Sequence, residues 1–330
     1  MGATTLMSVS VFAPASIGNV NVGFDVLGLA VKPVDGTLLG DVVTVTHSNA
    51  DDQLEVIGNF AKKLPSDAKQ NIVWQCLLLF NEQLVANKQQ VAKVKITLDK
   101  RMPVGSGLGS SACSVVAAIA GLNAFYEKYH EFSFAEQAQL KMMGQMEAKI
   151  SGSLHYDNVA PCFLGGMQLM VPDHEIIARK LPQFDDCYYV MAYPGIEVST
   201  KAAREILPTS YSRADLISFG QNLATFVDAC HRHDKAQAFS VLKDVVAEPY
   251  RQAILPGYGA AVSYLTQAGC LAVGISGSGP TLFCVTDDET KAKQFAAWLS
   301  ENYLQTSATG TSEGFVHVCQ ADSQGAVSLP

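Results

Sequence analysis

A strand pattern, a glycine- and serine-rich loop and a helix pattern follow one another in this chain, and they constrain its fold more than any other stretch. Residues 94–99 alternate apolar and polar side chains, which is typical of a half-buried strand. Pro103 ends that pattern, and residues 105–109 then alternate glycine with other residues. Small and apolar residues from position 110 onward predict a helix. A loop that leads from a strand into a helix N-terminus is a common site for phosphate.

The loop itself is suited to a triphosphate. Its three glycines allow backbone conformations in which successive N–H groups point into one concavity. Ser110 and Ser111 suit the N-cap of the helix, whose positive dipole end faces the same point. Packing alone also produces glycine-rich turns, and the loop matches neither G-x-x-x-x-G-K-[ST] nor G-x-G-x-x-G. By itself it leaves phosphate binding and a structural turn open.

Composition excludes some classes of function. The chain has 330 residues and a net charge of -8, so it is long enough for two domains that share a cleft and lacks the basic surface of a non-specific nucleic-acid-binding protein. Its eight cysteines include no C-x-x-C pair, which argues against a zinc site or a short disulfide framework. The longest apolar run, residues 113–122, is too short to span a bilayer, and no signal-peptide pattern is present. We expect a cytoplasmic protein with no membrane or nucleic-acid partner.

The order of strand and helix patterns predicts an α+β fold. The N-terminal region is rich in valine and broken by glycines, which favours strands. Residues 71–86 predict a helix with Asn71 at its N-cap. Residues 133–150 predict another helix, with Ser133 and Glu136 as its capping box.

The second half follows a different pattern of short strands and helices. Helices are predicted at residues 213–245, 259–268 and 289–303. A second glycine–serine turn, residues 274–281, joins two strands, and we expect it to support the first loop. We place an N-terminal domain at residues 1–165 and a C-terminal domain at residues 166–330.

Several polar residues stand where their surroundings do not explain them. Asn19 and Asp25 lie in a turn-prone segment, where they either converge on a ligand or bond their own turns. Glu147 lies near the end of a predicted helix, where the dipole disfavours a carboxylate unless a cation is close. His155 and Asn158 lie in a polar segment flanked by glycines, and a structural role suits them as well as a role in a site. The residues alone leave these alternatives open.

Three stretches, in order and at fitting distances, resemble the three motifs of the GHMP kinases. They are PASIGNVNVGFD at 14–25, PVGSGLGSSAC at 103–113 and GISGSGPT at 274–281. Further stretches resemble the branch of that family that phosphorylates L-homoserine: HYDNVAPCFLGGMQL at 155–169, YPGIEVSTKAAREILP at 193–208 and AEPYR at 247–251. The likeness covers nearly the whole chain. It departs from the first motif at Ile17 and Gly18, where small polar residues are commoner, and this leaves Asn19 and Asp25 in register.

The resemblance implies the two-domain GHMP kinase fold. Its N-terminal domain would be ribosomal-protein-S5-like, its C-terminal domain ferredoxin-like, and the active site would lie between them. It also implies ATP as co-substrate and Mg2+ as cofactor. The γ-phosphoryl group would pass to the side-chain hydroxyl of L-homoserine, a step of threonine biosynthesis. The resemblance allows for a homodimer and indicates no interface.

The resemblance further implies roles for single residues. Asn71 would lie near the adenine, and the phosphates would be wrapped by Pro103, Val104, Gly105, Ser106, Gly107, Leu108, Gly109, Ser110, Ser111, Ala112 and Cys113. Ser111 and Glu147 would hold the magnesium ion, which accounts for the unusual position of that carboxylate. The substrate would be bound by Asn19, Asp25, His155, Asn158, Thr200, Arg204 and Arg251, with Asn158, Asp25 and Arg204 as candidate catalytic residues. Asp25 would receive the substrate ammonium, and the two arginines would clamp its carboxylate, since arginine pairs a carboxylate bidentately.

No side chain stands out as a general base. Asp25 is assigned to the ammonium and no lysine accompanies it in the first motif, so we expect the hydroxyl to lose its proton late, to a phosphate oxygen. Three alternatives are a GHMP kinase for mevalonate or a sugar, a GHMP-like ligand sensor without catalysis, and a dinucleotide dehydrogenase. The pair of Ser111 and Glu147 argues against the sensor. The dehydrogenase is disfavoured because its glycine fingerprint should follow the first strand.

Overall fold

The computed structural model describes residues 7–173, 175–305 and 313–330. Within these ranges the strands are Ser8–Pro14 (β1), Ser16–Gly18 (β2), Leu27–Pro33 (β3), Gly40–His47 (β4), Gln53–Ile57 (β5), Val94–Asp99 (β6), Met167–Met170 (β7), Ala178–Leu181 (β8), Tyr188–Tyr193 (β9), Ala272–Ile275 (β10), Leu282–Thr286 (β11), Phe315–Ala321 (β12) and Val327–Leu329 (β13). The α-helices there are Ile72–Ala86 (α1), Ser110–His130 (α2), Glu136–Ser151 (α3), Val159–Leu164 (α4), Thr200–Glu205 (α5), Arg213–Arg232 (α6), Lys235–Ser240 (α7), Glu248–Arg251 (α8), Tyr258–Gln267 (α9) and Glu289–Asn302 (α10). None of these helices is long and apolar enough to cross a membrane.

The first sheet has the strand order β13-β1-β4-β6-β5, and its pairs are antiparallel except for the parallel pair of β5 and β6. Alternate residues of its central strands are fully buried, among them Val43 and Val45 in β4 and Ile96 and Leu98 in β6. Helix α2 packs across β1 and β4, and α1 and α3 pack on α2 in turn. The small residues of α2 allow this close approach, so α2 lies almost wholly buried. The N-terminus of α2 directly follows the glycine loop.

The second sheet has the order β10-β11-β9-β12-β3-β7-β8, with β2 paired to β3, and its pairs are antiparallel. Helix α10 packs on β9 and β12, and α9 packs on β10. Tyr258, Phe295 and Leu299 are among the buried residues of the smaller core that these elements form.

Each sheet contains strands from both halves of the sequence. Val31 of β3 is paired with Ala321 of β12, and Phe12 of β1 is paired with Val327 of β13. The predicted α+β class, with helices layered on mixed sheets, is confirmed. The boundary between residues 165 and 166 stays a prediction.

Two predicted helix starts are wrong in detail. Helix α3 begins at Glu136 with Ala135 as its N-cap and no capping side chain, so Ser133 and Glu136 form no capping box. The reason is that Phe134 is bonded outside the helix, where its N–H donates to Asn123 Oδ1 at 2.7 Å. Helix α2 likewise has a glycine at its N-cap, and Ser110 is already helical. The predicted N-cap of α1 is confirmed, because the Asn71 side chain accepts the N–H of Val73.

Candidate active site

Most of the predicted site residues meet in one cleft with a volume of about 410 Å³. Its walls come from the segment after β2, the loop before α2, the segment between α3 and α4, the start of α5, and α8. An apolar part of the wall is formed by Leu64, Pro65, Ile72 and Ile150. A charged part is formed by Asp25, Asp157, Arg204 and Arg251. The cleft therefore offers surfaces for an aromatic base, for phosphates and for a charged small molecule.

The glycine loop has the backbone that an anion cradle requires. Gly105, Gly107 and Gly109 have φ of 64°, 78° and 69°, in the left-handed region that favours glycine. Gly109 is the N-cap of α2 and brings no side chain to the first N–H groups of that helix. These groups are the ones that bind phosphate at a helix N-terminus.

The second glycine–serine turn holds the first loop in place. The Ser276 hydroxyl donates to the carbonyl of Gly107 at 2.7 Å, and the Thr281 hydroxyl donates to the carbonyl of Ser106 at 2.6 Å. A Cβ atom at Gly107 would lie 2.6 Å from the Ser276 carbonyl oxygen, so a larger residue has no space there. Residues 274–281 therefore support the loop, as expected from the sequence.

Lys100 joins the loop to the first sheet through a buried ion pair. Its Nζ donates to Asp41 Oδ2 at 2.6 Å, to the Ser110 carbonyl at 2.8 Å and to the Ser114 hydroxyl at 2.9 Å. The other carboxylate oxygen of Asp41 accepts two backbone N–H groups at the start of the loop. The two side chains are 1% and 0% exposed. Because every donor of the lysine has an acceptor, this pair fixes the loop against the sheet.

Ser111 and Glu147 fit a divalent cation. The Ser111 hydroxyl donates to Glu147 Oε1 at 2.7 Å, while Oε2 is buried without a hydrogen-bond partner among the described residues. Burial raises the pKa of Glu147, and the hydrogen bond from Ser111 opposes that rise. A hard cation with oxygen ligands favours the ionised form of such a carboxylate. The donor set and the unpartnered oxygen therefore suit Mg2+.

Asp25 and Arg204 form a bidentate ion pair in the cleft. The two terminal nitrogens of Arg204 donate to the two Asp25 oxygens at 2.9 and 2.8 Å, and each side chain is 31% exposed. The hydrogen bonds that Arg204 donates to Asp25 raise the pKa of Arg204. Asn19 fixes Asp25 in a turn with φ of 58°, since its Oδ1 accepts the Asp25 N–H at 2.9 Å. A cation or an anion that enters the cleft can exchange with one member of this half-exposed pair.

Arg251 is a buried cation that makes no ion pair within the described part of the chain. Its side chain donates to the carbonyls of Ala203 and Gly277 at 3.2 and 2.8 Å, and the residue is 3% exposed. Burial lowers its pKa, the charge of Asp244 opposes this shift, and the charge of Arg204 adds to it. A buried charge with only neutral partners is costly, so an anion in the cleft would stabilise it.

His155, Asp157 and Asn158 form a connected polar group. His155 Nδ1 lies 3.3 Å from Asp157 Oδ1, and the Asn158 amide donates to Asp157 Oδ2 at 3.2 Å. Ser16 donates to Asn158 Oδ1 at 3.0 Å. Burial lowers the pKa of His155, but the hydrogen bond to Asp157 and the charges of Asp157 and Asp25 outweigh it, so the pKa is raised. These surroundings therefore favour the charged imidazole more than water does.

Comparison with known proteins identifies the family. The models of the GHMP kinases N terminal domain and the GHMP kinases C terminal match residues 71–166 and 226–305. The crystal structure of homoserine kinase from Cytophaga hutchinsonii is similar over 100% of this chain and 99% of that chain, with 30% identity and a TM-score of 0.86. The chain belongs to the GHMP kinase family.

Other GHMP kinases share the fold at lower identity. A putative homoserine kinase from Listeria monocytogenes is 20% identical with a TM-score of 0.68 over 98% of this chain and 99% of that one. A mevalonate kinase is 12% identical with a TM-score of 0.65 over 96% of this chain and 99% of that one. The two-domain GHMP kinase fold predicted from the motifs is thereby confirmed, whereas the roles of single residues stay predictions.

The remaining predicted residues of this GHMP kinase lie in or beside the cleft. Asn71 lines it, and its Nδ2 is buried without a partner among the described residues, which suits contact with a base. The Thr200 hydroxyl lies 3.4 Å from that of Ser278 at the cleft wall. Four predicted ATP-binding residues are buried and do not line the cleft: Pro103, Leu108, Ala112 and Cys113. They shape the loop from within, and any contact with ATP would come from their main chain.

Sequence reasoning missed the buried pair of Lys100 and Asp41 and the ring of Phe24. Lys100 continues the buried alternation of positions 94, 96 and 98, and a lysine at such a position needs an acidic partner. The alternation therefore marked Lys100 as a buried lysine in the sequence. The sequence did not identify Asp41 as its partner, because the pairing of β4 with β6 brings Asp41 to Lys100.

Proposed function

We propose that this GHMP kinase transfers the γ-phosphoryl group of ATP to the side-chain hydroxyl of L-homoserine, giving O-phospho-L-homoserine. The observation that carries the proposal is Arg251, a buried cation without an ion pair in the described ranges, beside the exchangeable pair of Asp25 and Arg204. Two guanidiniums and one carboxylate match the carboxylate and the ammonium of a free amino acid. The full-length similarity to a homoserine kinase at 30% identity supports the same substrate.

In this proposal the amino acid is held at both charged ends. Its ammonium binds Asp25, and its carboxylate binds Arg204 and Arg251. Asn19, Thr200, His155 and Asn158 line the same part of the cleft. Holding both ends orients the side-chain hydroxyl toward the phosphates, and such positioning supplies a large share of catalysis in phosphoryl transfer.

The phosphates are bound by the glycine loop and by the N-terminus of α2. Ser111 and Glu147 would hold Mg2+, which when bound neutralises charge on the phosphate oxygens. Asn71 and the apolar wall around Ile72 would receive the adenine. These are the roles that the contacts of the loop and of the unpartnered Asn71 and Glu147 atoms support best.

In this proposal neither Asp25 nor His155 is a strong acceptor for the proton of the hydroxyl. Asp25 is bonded to Arg204 through both oxygens, and His155 has a raised pKa beside Asp157. A raised pKa favours the protonated imidazolium, which cannot accept a proton, so His155 is poorly suited to act as the base. We therefore infer that the proton leaves late in the transfer, to a phosphate oxygen.

Two alternatives make different demands on the charged part of the cleft. Mevalonate has a carboxylate but no ammonium, so it would leave Asp25 without a ligand charge. A neutral sugar has neither group, so it would leave Asp25 and both arginines without one. A ligand sensor has no need of a cation site, and the unpartnered Glu147 oxygen argues against it.

The test is ADP release with ATP and Mg2+ in the presence of L-homoserine, L-threonine, L-serine or mevalonate. We expect strong turnover with L-homoserine alone. Turnover with mevalonate alone would overturn the substrate and leave the fold. Binding of ATP without turnover of any alcohol would favour the sensor.

A further inference from the structure

Phe24 contacts both arginines of the charged part of the cleft. Its ring centroid lies 5.3 Å from Cζ of Arg204 and 5.6 Å from Cζ of Arg251. At such distances a guanidinium is attracted to an aromatic face. The side chain is half-buried and lines the cleft, and no role described above uses it.

The backbone explains how Phe24 and Asp25 reach the same guanidinium. Consecutive side chains of an extended segment point in opposite directions. Asp25 instead adopts a left-handed conformation, which the Asn19 side chain stabilises by accepting its N–H. The Phe24 ring and the Asp25 carboxylate can therefore both contact Arg204 from adjacent positions.

The two guanidiniums need such a contact because like charges repel. Asp25 pairs with Arg204 through two hydrogen bonds, and Arg251 has only backbone carbonyls as hydrogen-bond acceptors among the described residues. A substrate ammonium competes with Arg204 for Asp25, so the ion pair weakens when the amino acid binds. The contacts of the Phe24 ring with both arginines do not depend on that exchange.

We propose that Phe24 is a positioning residue that holds Arg204 and Arg251 at a spacing that accepts one carboxylate. The inference rests on the proposed function and adds a determinant of its specificity. Removal of the aromatic face should weaken the selection for a ligand carboxylate more than it weakens ATP binding or the phosphoryl transfer.

The test compares two alcohols that differ only in the carboxylate. The first is L-homoserine, for which the KM is measured. The second is 3-aminopropan-1-ol, the same molecule without the carboxylate, for which the constant of competitive inhibition of L-homoserine phosphorylation is measured. The ratio of the inhibition constant to the KM reports the selection for the carboxylate. Phe24→Leu and Phe24→Met keep an apolar side chain without a ring, and Phe24→Tyr keeps the ring. Phe132→Leu removes a half-buried ring that contacts Phe134 and does not line the cleft, so it is the matched control.

We expect the ratio to fall about tenfold in the two variants without a ring, through a higher KM for L-homoserine at constant KM for ATP. Phe24→Tyr and Phe132→Leu should keep the wild-type ratio. An unchanged ratio in both ringless variants would overturn the inference. The ratio stays unchanged either when neither constant moves or when both rise equally, and an equal rise indicates general damage to the site. Failure of the wild type to phosphorylate L-homoserine would instead overturn the proposed function, and this is seen before any variant is made.

Discussion

Two pairs of an aspartate with a cation contribute to the same cleft and differ in almost every physical respect. Lys100 and Asp41 are 1% and 0% exposed, and backbone or hydroxyl groups bond to both members. Asp25 and Arg204 are each 31% exposed and have mainly each other and an aromatic ring as partners. The first pair supports the glycine loop, where the phosphates are proposed to bind, and the second lies where the amino acid is proposed to bind.

The difference shows how a fold separates fixed charges from exchangeable ones. A charge pair in a dry, fully bonded environment cannot be exchanged, because each partner would be left buried and uncompensated. A half-exposed pair loses much less when water or a ligand replaces one partner. The same ion-pair chemistry therefore supports the glycine loop and, at the charged part of the cleft (the substrate end), offers groups that a charged ligand can engage.

The largest expected effect comes from breaking the fixed pair. Lys100→Met should lower the free energy of unfolding by about 3–5 kcal/mol, because Asp41 then remains buried without its counter-ion. Urea unfolding at neutral pH measures this loss. The matched control is Lys95→Met in β6, the strand that Lys100 directly follows, because the 2.7 Å ion pair of Lys95 with Glu55 is exposed and should contribute little. Similar losses of unfolding free energy in both variants would refute the view that burial makes the Lys100–Asp41 pair important for stability.

The next effect tests the substrate end. Arg251→Met should lower kcat/KM for L-homoserine about 100-fold, since a hydrogen bond to a charged group contributes about 1.5–3 kcal/mol. Stability should fall by no more than about 1–3 kcal/mol, because two backbone carbonyls lose a donor while a buried charge without an ion pair in the described ranges is also removed. Steady-state ADP release and urea unfolding measure the two quantities. A large loss of stability would show that Arg251 is part of the framework of the fold.

The two regions also differ in how far the sequence predicts them. The glycine loop could be predicted from one contiguous stretch of sequence, because its glycine spacing, the preceding strand and the following helix lie next to one another in the chain. Lys100 was missed although its alternation marked it, and the fold class followed from the order of patterns. The helix start at Glu136 was missed because a distant side chain, that of Asn123, holds Phe134 outside the helix.

The substrate end could not be read locally. Asp25, Arg204 and Arg251 come from separate segments, and each alone is an ordinary polar residue. The family resemblance placed them together, and the structure brings all three to one cleft. Nothing in the sequence showed that Asp25 and Arg204 pair with each other or that Phe24 contacts both arginines, since these contacts depend on a left-handed turn and on the meeting of two distant segments.

Glu147 offers a smaller and sharper test of an uncompensated charge. Its pKa is raised by burial, so folding favours the neutral form and the ionised carboxylate lowers stability as pH rises through its pKa. Without Mg2+, Glu147→Gln should therefore raise the free energy of unfolding at neutral pH by about 1–2 kcal/mol. Thermal unfolding in a chelator and in Mg2+ measures this. Magnesium should stabilise the wild type and not the variant, and equal stabilisation of both would remove Glu147 from the metal site.

The smallest expected effect concerns the His155–Asp157 pair, which is largely buried and contains a histidine with a raised pKa. The raised pKa of His155 means that its stabilisation is fully present below the unfolded value of about 6.5 and is lost as pH rises through the folded value. The wild type should thus lose some stability, relative to His155→Gln, as pH rises from about 6 to about 8. Urea unfolding of both proteins across this range gives the difference directly. His155→Gln should also keep measurable turnover, because in the proposed mechanism the imidazole does not accept the substrate proton. Complete loss of turnover with unchanged affinity for L-homoserine would instead assign the proton to His155, and the buried pair would then be part of the chemistry.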